Sequence, residues 1–481
     1  MSGGSGYNTA VGYQAALSLT TADSVTAIGI GAGQLLTTGG DSTIVGKHAL
    51  DANVTGSQNT AIGNNALGEY LGSGNTAVGF AALDAATTGS SNTGIGHDAL
   101  GATTTGTENT AVGYGALDGN VTLHGNTAVG YYALSGTLEG GSNTAVGAAA
   151  LKENTGGDNN TAVGAGAMDV TTTGHGCTAL GAVSLGANTT GASNTALGRS
   201  ALAANTTAGS NTAVGYYALV ANTTGHTQVA VGKEALAACT TGVRNTAIGA
   251  EALHDLTTAD ANTAVGNGAI DHVTEGDGNT AVGYYPANVL TTGDHNTIIG
   301  RNPMNGLTTG DNNLGLGADA GNSGQPGGAV TTGSHQVCIG DAQITNAHIQ
   351  VDWTIASDKR DKTDVSPLDL GLDFINQLEP VTYRWDKRSK YNKDQSVVPD
   401  GTHKEEQLEG GFLAQDVEAI EKQYGYLNSD KTNLITHLSE DGKMYGIKYS
   451  KLVPMLTKAV QELSAEVEEL KKKAHDKCDD D

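Results

Sequence analysis

Polar and apolar residues follow one another in a single short phrase through most of this chain. The phrase is a polar residue, Thr, Ala, an aliphatic residue and Gly, as in Asn109-Thr110-Ala111-Val112-Gly113. It begins at Asn8 and recurs every 17 residues to Asn313, with one 16-residue step between Asn59 and Asn75. A twentieth copy, Gln336-Val337-Cys338-Ile339-Gly340, follows after 23 residues. With the polar residue numbered 0, position +4 is Gly and position +3 is Val, Ile or Leu in all twenty copies. Position +8 is Leu, Met or Ile in most copies, as in Leu67, Leu117, Met168 and Ile270, and Thr-Thr-Gly often closes the unit, as at Thr87-Thr88-Gly89.

A fixed period of this length predicts a stacked solenoid, each coil one short strand and two corners. Period-2 alternation puts Thr at +1 and the aliphatic residue at +3 on one face of the strand. The +3 and +8 columns are expected to form a thin continuous core. Gly at +4 implies positive φ or close backbone approach at one corner, and Thr-Thr-Gly suits the other. The polar column at 0 is expected to form a ladder of side-chain amides. At roughly 3.3 Å per residue a coil has a perimeter of roughly 56 Å, and twenty coils at about 4.8 Å would extend on the order of 95 Å.

The pattern changes near residue 350. Farther on, Tyr449, Val453, Leu456, Val460, Leu463, Val467 and Leu470 alternate spacings of 4 and 3, the a/d seam of a coiled coil about three heptads long. A helix packed on its own domain would show a similar stripe. The predicted fold class is therefore mainly β: a 17-residue-repeat β-solenoid followed by a small α+β domain ending in a coiled-coil helix. The expected organisation is a solenoid shaft over 1–345, a linker over 346–356, an α+β domain over 357–448, a helix over 449–473 and an acidic tail over 474–481.

Composition sharpens this division. Aromatics are 4% of the 481 residues and glycines number 70, which excludes a large mixed core. Only 6 of the 25 Lys and Arg precede residue 351. A net charge of −25 argues against nucleic acid as a partner. No apolar run approaches membrane-spanning length, so no membrane insertion is expected. The N-terminus lacks a charged segment followed by an apolar one, so no Sec-type signal is expected. Met1-Ser2-Gly3-Gly4-Ser5-Gly6 reads as a cut edge, with a natural attachment segment expected further N-terminal. The four cysteines have no framework spacing. No cofactor is expected. His124, His175 and His226 fall at position −2 of every third coil, roughly 14 Å apart on a 4.8 Å step. That is too far to share a metal, and they read as solvated turn residues.

Tyr or Phe recurs just after the repeat Gly: Tyr13, Phe80, Tyr114, Tyr131, Tyr132, Tyr216, Tyr217, Tyr284 and Tyr285. Two readings stand, packing at a corner or between chains, and an exposed track that contacts a glycan receptor. The pairs Tyr131/Tyr132, Tyr216/Tyr217 and Tyr284/Tyr285 are the candidate receptor contacts.

The repeat resembles the head repeats of trimeric autotransporter adhesins, which also place a small-apolar-Gly triplet after an Asn. That resemblance implies a left-handed β-roll with three chains side by side. In the second region, Ser357-Asp358-Lys359-Arg360-Asp361-Lys362 is followed by Gly371-Leu372-Asp373-Phe374-Ile375, Pro380-Val381-Thr382-Tyr383-Arg384-Trp385, Gly411-Phe412-Leu413-Ala414-Gln415-Asp416-Val417 and Tyr449-Ser450-Lys451-Leu452-Val453-Pro454. In this order they resemble the intramolecular chaperone domain of the peptidase S74 family, which closes bacteriophage tail spikes and fibres.

The resemblance implies a homotrimerisation chaperone that cuts itself off after assembly. Ser357 would be the nucleophile and Lys362 its general base, with Asp358 and Arg360 as supporting motif residues and the cut at Ala356–Ser357. A lysine acts as base only when neutral. Its free pKa is about 10.4, so burial or nearby cations must lower it by several units. His403 and His437 have no supporting spacing. The implied protein is a viral tail fibre or spike, assembled in the host cytoplasm, carried on the virion and bound to a cell-surface receptor. Its only enzymatic activity would be single-turnover self-cleavage. A bacterial surface adhesin is the first alternative, disfavoured by the S74-like region. A glycan-degrading fibre is the second. It would need a carboxylate pair in an irregular insertion, and the coils are regular.

Overall fold

The computed structural model describes residues 6–478 apart from 86, 120–121, 137–138, 324–327, 342, 345–346, 351–353, 392–396, 427–432 and 440–441. The chain divides into two compact units, Met1–Asn296 and Thr297–Asp481.

The first unit is a parallel β-solenoid. It runs from β1 (Thr9–Val11) to β17 (Thr280–Tyr284), one strand per repeat. Each strand pairs in parallel with the strand one repeat later, residue for residue: Thr110↔Thr127, Ala111↔Ala128 and Val112↔Val129. The short step keeps this register, with Thr60↔Thr76.

The polar column at position 0 is buried and forms the expected ladder. The Asn109 Oδ1 accepts the Asn126 backbone N–H at 3.0 Å, and the Asn126 Oδ1 accepts that of Asn143 at 2.9 Å. Each amide nitrogen donates to a carbonyl at the far corner, as Asn109 Nδ2 does to Leu123 O at 2.7 Å. Both ends of the buried amide are thus paired, which removes the desolvation penalty that would otherwise exclude Asn from an interior. The Gly at +4 is required: Gly113 has φ 137°, and a Cβ there would collide with the Gly130 carbonyl oxygen of the next coil.

The aliphatic +3 column does not face the core. In every strand from residue 26 to residue 282 the buried position is the middle one at +2, as with Ala27, Ala61, Ala111 and Ala247. The +3 residues point outward beside the Thr at +1, half-buried or exposed. The inner column that pairs with +2 is the expected +8, reached through a left-handed backbone such as Leu117 at φ 54°. The reason is space. At Gly94, which stands at +2, an added Cβ would lie 3.0 Å from the Ala99 carbonyl oxygen and 3.4 Å from Leu83 of the preceding coil. That gap takes Ala and no more. Where Gly33 replaces the +8 leucine, Ile44 occupies +2 of the next coil, and a Cβ on Gly33 would meet its Cδ1 at 2.9 Å. The interior conserves volume coil by coil, as close packing demands.

The 16-residue coil has its own solution. Tyr70, fully buried, fills the corner that lacks one residue. Its hydroxyl donates to Asn75 Oδ1 at 2.9 Å and accepts from Asn92 Nδ2 at 3.2 Å. Burial pushes the phenol up to about 12, against the opposing hydrogen bonds from Asn92 and Asn75.

The second unit opens with β18 (Thr297–Arg301), β19 (Leu314–Leu316) and β20 (Val337–Ile339). The last pair keeps the parallel register across its longer step, Leu314↔Val337. An α+β region follows. It comprises α1 (Leu372–Ile375), β21 (Val381–Tyr383), β22 (Glu409–Gly411), α2 (Ala414–Gln423), β23 (Thr436–Leu438), β24 (Tyr445–Ile447) and the 27-residue α3 (Leu452–Cys478). β21 pairs antiparallel with β22 and β23 with β24. A small core of Leu370, Phe374, Leu378, Val417, Tyr426, Ile435, Leu452 and Met455 joins these elements. Beside it the buried carboxylate of Glu421 accepts the backbone N–H groups of Leu434 (3.0 Å), Ile435 (2.8 Å) and Thr436 (3.0 Å), and the Thr436 hydroxyl. This one side chain ties α2 to β23.

Candidate active site and assembly surfaces

Ser357 and Lys362 lie on either side of a short 3-10 turn, Lys359–Asp361. Asp358 starts the turn: its carboxylate accepts the Arg360 backbone N–H at 2.9 Å and the Arg360 guanidinium Nε at 3.1 Å. These contacts hold the Asp358 carboxyl below its usual range, with the guanidinium the larger cause. The turn reverses the chain and brings Lys362 Nζ to 2.6 Å from Ser357 Oγ, the ammonium donating. The structure therefore joins the two residues that the motif singled out, and Asp358 and Arg360 shape the loop between them. Ala356 precedes the serine in exposed chain outside any helix or strand. Solvent reaches the whole loop, and the apolar neighbours Ile355 and Val365 are 73% and 76% exposed. His403 stands edge-on to Tyr391, and His437 lies on β23.

α3 carries two apolar stripes. Leu452, Met455 and Ala459 are buried against the region's own core. One turn on, Glu462 Oε2 accepts the Leu372 N–H at 2.6 Å and closes the start of α1. One residue round the helix, Val453, Leu456, Val460, Leu463, Val467 and Leu470 are all exposed. The helix packs on its own domain through the first stripe and leaves the second, 4-3 spaced stripe exposed. Tyr449 precedes the helix, and its hydroxyl accepts the Phe412 N–H at 3.2 Å.

On the solenoid, Tyr131, Tyr216 and Tyr284 are exposed and meet Tyr132, Tyr217 and Tyr285 edge-on at 4.6, 4.3 and 4.6 Å. Gly115 and Gly268 make room for Tyr132 and Tyr285, whose rings a Cβ at either glycine would strike. Phe80, His97, Tyr114 and Tyr131 stack along four successive coils, with centroids 5.0, 5.0 and 5.7 Å apart. His97 stands at +5 and bridges Phe80 to Tyr114, a member of the stack that a Tyr/Phe pattern does not include. His124 accepts from the Thr107 backbone N–H at 3.1 Å, as a turn residue. Among the described residues no group of three or more His, Cys, Asp or Glu is placed to hold a metal. None of the described helices is long and apolar enough to cross a membrane.

Residues 357–426 match the family model of peptidase S74, described as chaperone of endosialidase. The match begins on Ser357. The chain thus carries a peptidase S74 chaperone domain after a β-solenoid. Neither the comparison with curated proteins nor that with solved structures gives a match.

Proposed function

We propose that this chain is a homotrimeric viral tail fibre or spike protein, whose C-terminal part directs assembly and is then released by self-cleavage at Ser357. The observation that carries the reading is the 2.6 Å contact between Lys362 Nζ and Ser357 Oγ at the first residue of the S74 match. In the proposed step a neutral Lys362 takes the Ser357 Oγ proton, and the oxygen attacks the Ala356 carbonyl carbon. The Ala356–Ser357 C–N bond breaks, the proton passes to the Ser357 nitrogen, and an ester remains. Water hydrolyses the ester to an Ala356 carboxylate and the free Ser357 hydroxyl. The products are the mature solenoid part and a fragment of residues 357–481.

In one chain the dyad is open to water. Covering the loop and its exposed Ile355 and Val365 with neighbouring copies would desolvate the ammonium and favour the neutral base. Cleavage would then follow correct assembly. The exposed 4-3 seam of α3 supplies the means of association, since such a stripe pairs with like helices. A chaperone is useful here because a slip of one repeat leaves most contacts alike. Its removal would leave an assembly unable to retrace its folding path, which is kinetic stability.

The exposed tyrosine pairs support a glycan receptor on the host cell, since rigid aromatic faces at low entropy cost suit such contacts. The test of the central reading is the mass of the purified protein. Wild type is expected to yield the fragment starting at Ser357, and Ser357→Ala only the full-length chain. A wild-type chain that stays intact as a trimer through long incubation would overturn self-cleavage.

A further inference from the structure

One outward surface of the first unit keeps the same chemistry in every coil. In its seventeen strands position +1 is Thr except at Val229, and position +3 is always Val, Ile or Leu. None of these positions carries a charge. Other outward columns vary freely: position +5 runs through Tyr13, Ile30, Lys47, Asn64, Phe80 and His97. The +3 side chains are far from covered, with exposure of 36% at Val129, 41% at Ile248 and 47% at Leu180. A continuous apolar stripe of this kind marks a contact surface.

We infer that the +1/+3 face of the solenoid strands is the surface on which copies of this chain pack against one another, in register. Two arguments select that occupant. The stripe repeats at the coil step through every strand of the unit, so a globular partner would cover a few coils and leave the rest exposed. A second copy presents the same column at the same step and covers it coil for coil. The chain's net charge of −25 also opposes self-association everywhere except along a charge-free strip. In a trimer this face would turn toward the threefold axis, where equivalent side chains lie near one another. The inference deepens the assembly reading above and rests on it for the existence of an oligomer.

The test uses the full chain. Val129→Lys, Val146→Lys and Val163→Lys together are expected to shift the native mass to monomer, with at least a tenfold rise in the monomer fraction and an unchanged circular dichroism spectrum. Ala148→Lys, Ala165→Lys and Ala182→Lys, all exposed at +5, are expected to leave the oligomer intact. A triple valine variant that keeps the wild-type oligomer mass overturns the face while leaving the assembly reading standing. A wild type that is itself monomeric overturns the assembly reading, and the face with it. Should the lysine variant misfold, Val146→Cys serves instead. Oxidation is expected to link Cys at 146 to its equivalent in another copy, read as a cross-linked peptide by mass spectrometry. Linkage through Ala148→Cys in its place would overturn the inference.

Discussion

The solenoid and the α+β region meet their physical needs at different distances. In the solenoid the buried amides, backbone groups and the buried phenol find partners in the same coil or in nearby ones: Asn126 with Asn109, Leu117 N–H with the Ala133 carbonyl, Tyr70 with Asn75 and Asn92. Its interior is Ala, Leu and amide, assembled from neighbours alone. The α+β region instead gathers one core from residues as far apart as Leu370 and Met455, and ties it with single long-range contacts such as Tyr426 to Asp369 and Leu372 to Glu462. It also leaves parts unfinished: an exposed dyad, exposed Ile355 and Val365, and a six-residue seam along α3. The difference teaches that a repeat can finish its interior from neighbouring coils, whereas the second region draws its core from segments far apart in sequence.

The largest expected effect tests that incompleteness. Leu456→Asp with Leu463→Asp charges the free seam without touching Leu452, Met455 or Ala459. The variant should keep its helix content by circular dichroism and lose both oligomer and cleavage product. A variant still cleaved as an oligomer would break the contrast, because the second region would then be complete without its seam. Next in size, Tyr70→Ala empties the one filled corner and should cost about 3–5 kcal/mol. Because coils touch only their neighbours, hydrogen exchange should accelerate around Asn59 to Asn92 and stay unchanged near Leu253. Glu421→Ala should cost about 3 kcal/mol, since three backbone N–H groups lose a charged acceptor. Here the loosening should spread through the whole small core, to Phe374 and Met455, and be seen as one cooperative shift in urea midpoint.

The smallest effect is electrostatic. His272 Nδ1 lies 2.7 Å from Asp255 Oδ2, and His254 Nδ1 lies 2.7 Å from Asp255 Oδ1. The Asp255 hydrogen bond raises His272, so its stabilisation is present below the unfolded value and fades as pH rises through the folded one. Burial pushes Asp255 up, but the bonds from His272 and His254 outweigh it and leave it lowered, so its share fades as pH falls through its folded value. Stability from this pair should therefore peak between the carboxylate and imidazole ranges, at about pH 4–6.5. Both groups are over a third exposed, so His272→Ala should remove only a few tenths of a kcal/mol, seen as a flatter Tm against pH.

Much of the molecule was legible in the chain because the repeat writes each rule twenty times. The coil length, the obligatory Gly at +4, the inward +8 residue and the amide ladder all follow from one period and local geometry. The dyad was legible as a motif, because six residues hold both partners and the turn between them. The sense of the strands was not. Alternation says that +1 and +3 share a face, and it is silent on which face is inside. That choice belongs to the opposite wall: Leu83 and the Ala99 carbonyl leave room for a methyl at residue 94, so Ala goes in and Val goes out. Tyr70 and Glu421 carry no signal in the sequence for the same reason, since the gap one fills and the strand the other holds exist only once separate segments meet. Period, corners and ladder are properties of a residue and its neighbours in sequence, so the chain carries them alone. The inside of the coil, the two stripes of α3 and the exposure of Ser357 depend on what lies across a gap, and only packing in three dimensions decides that.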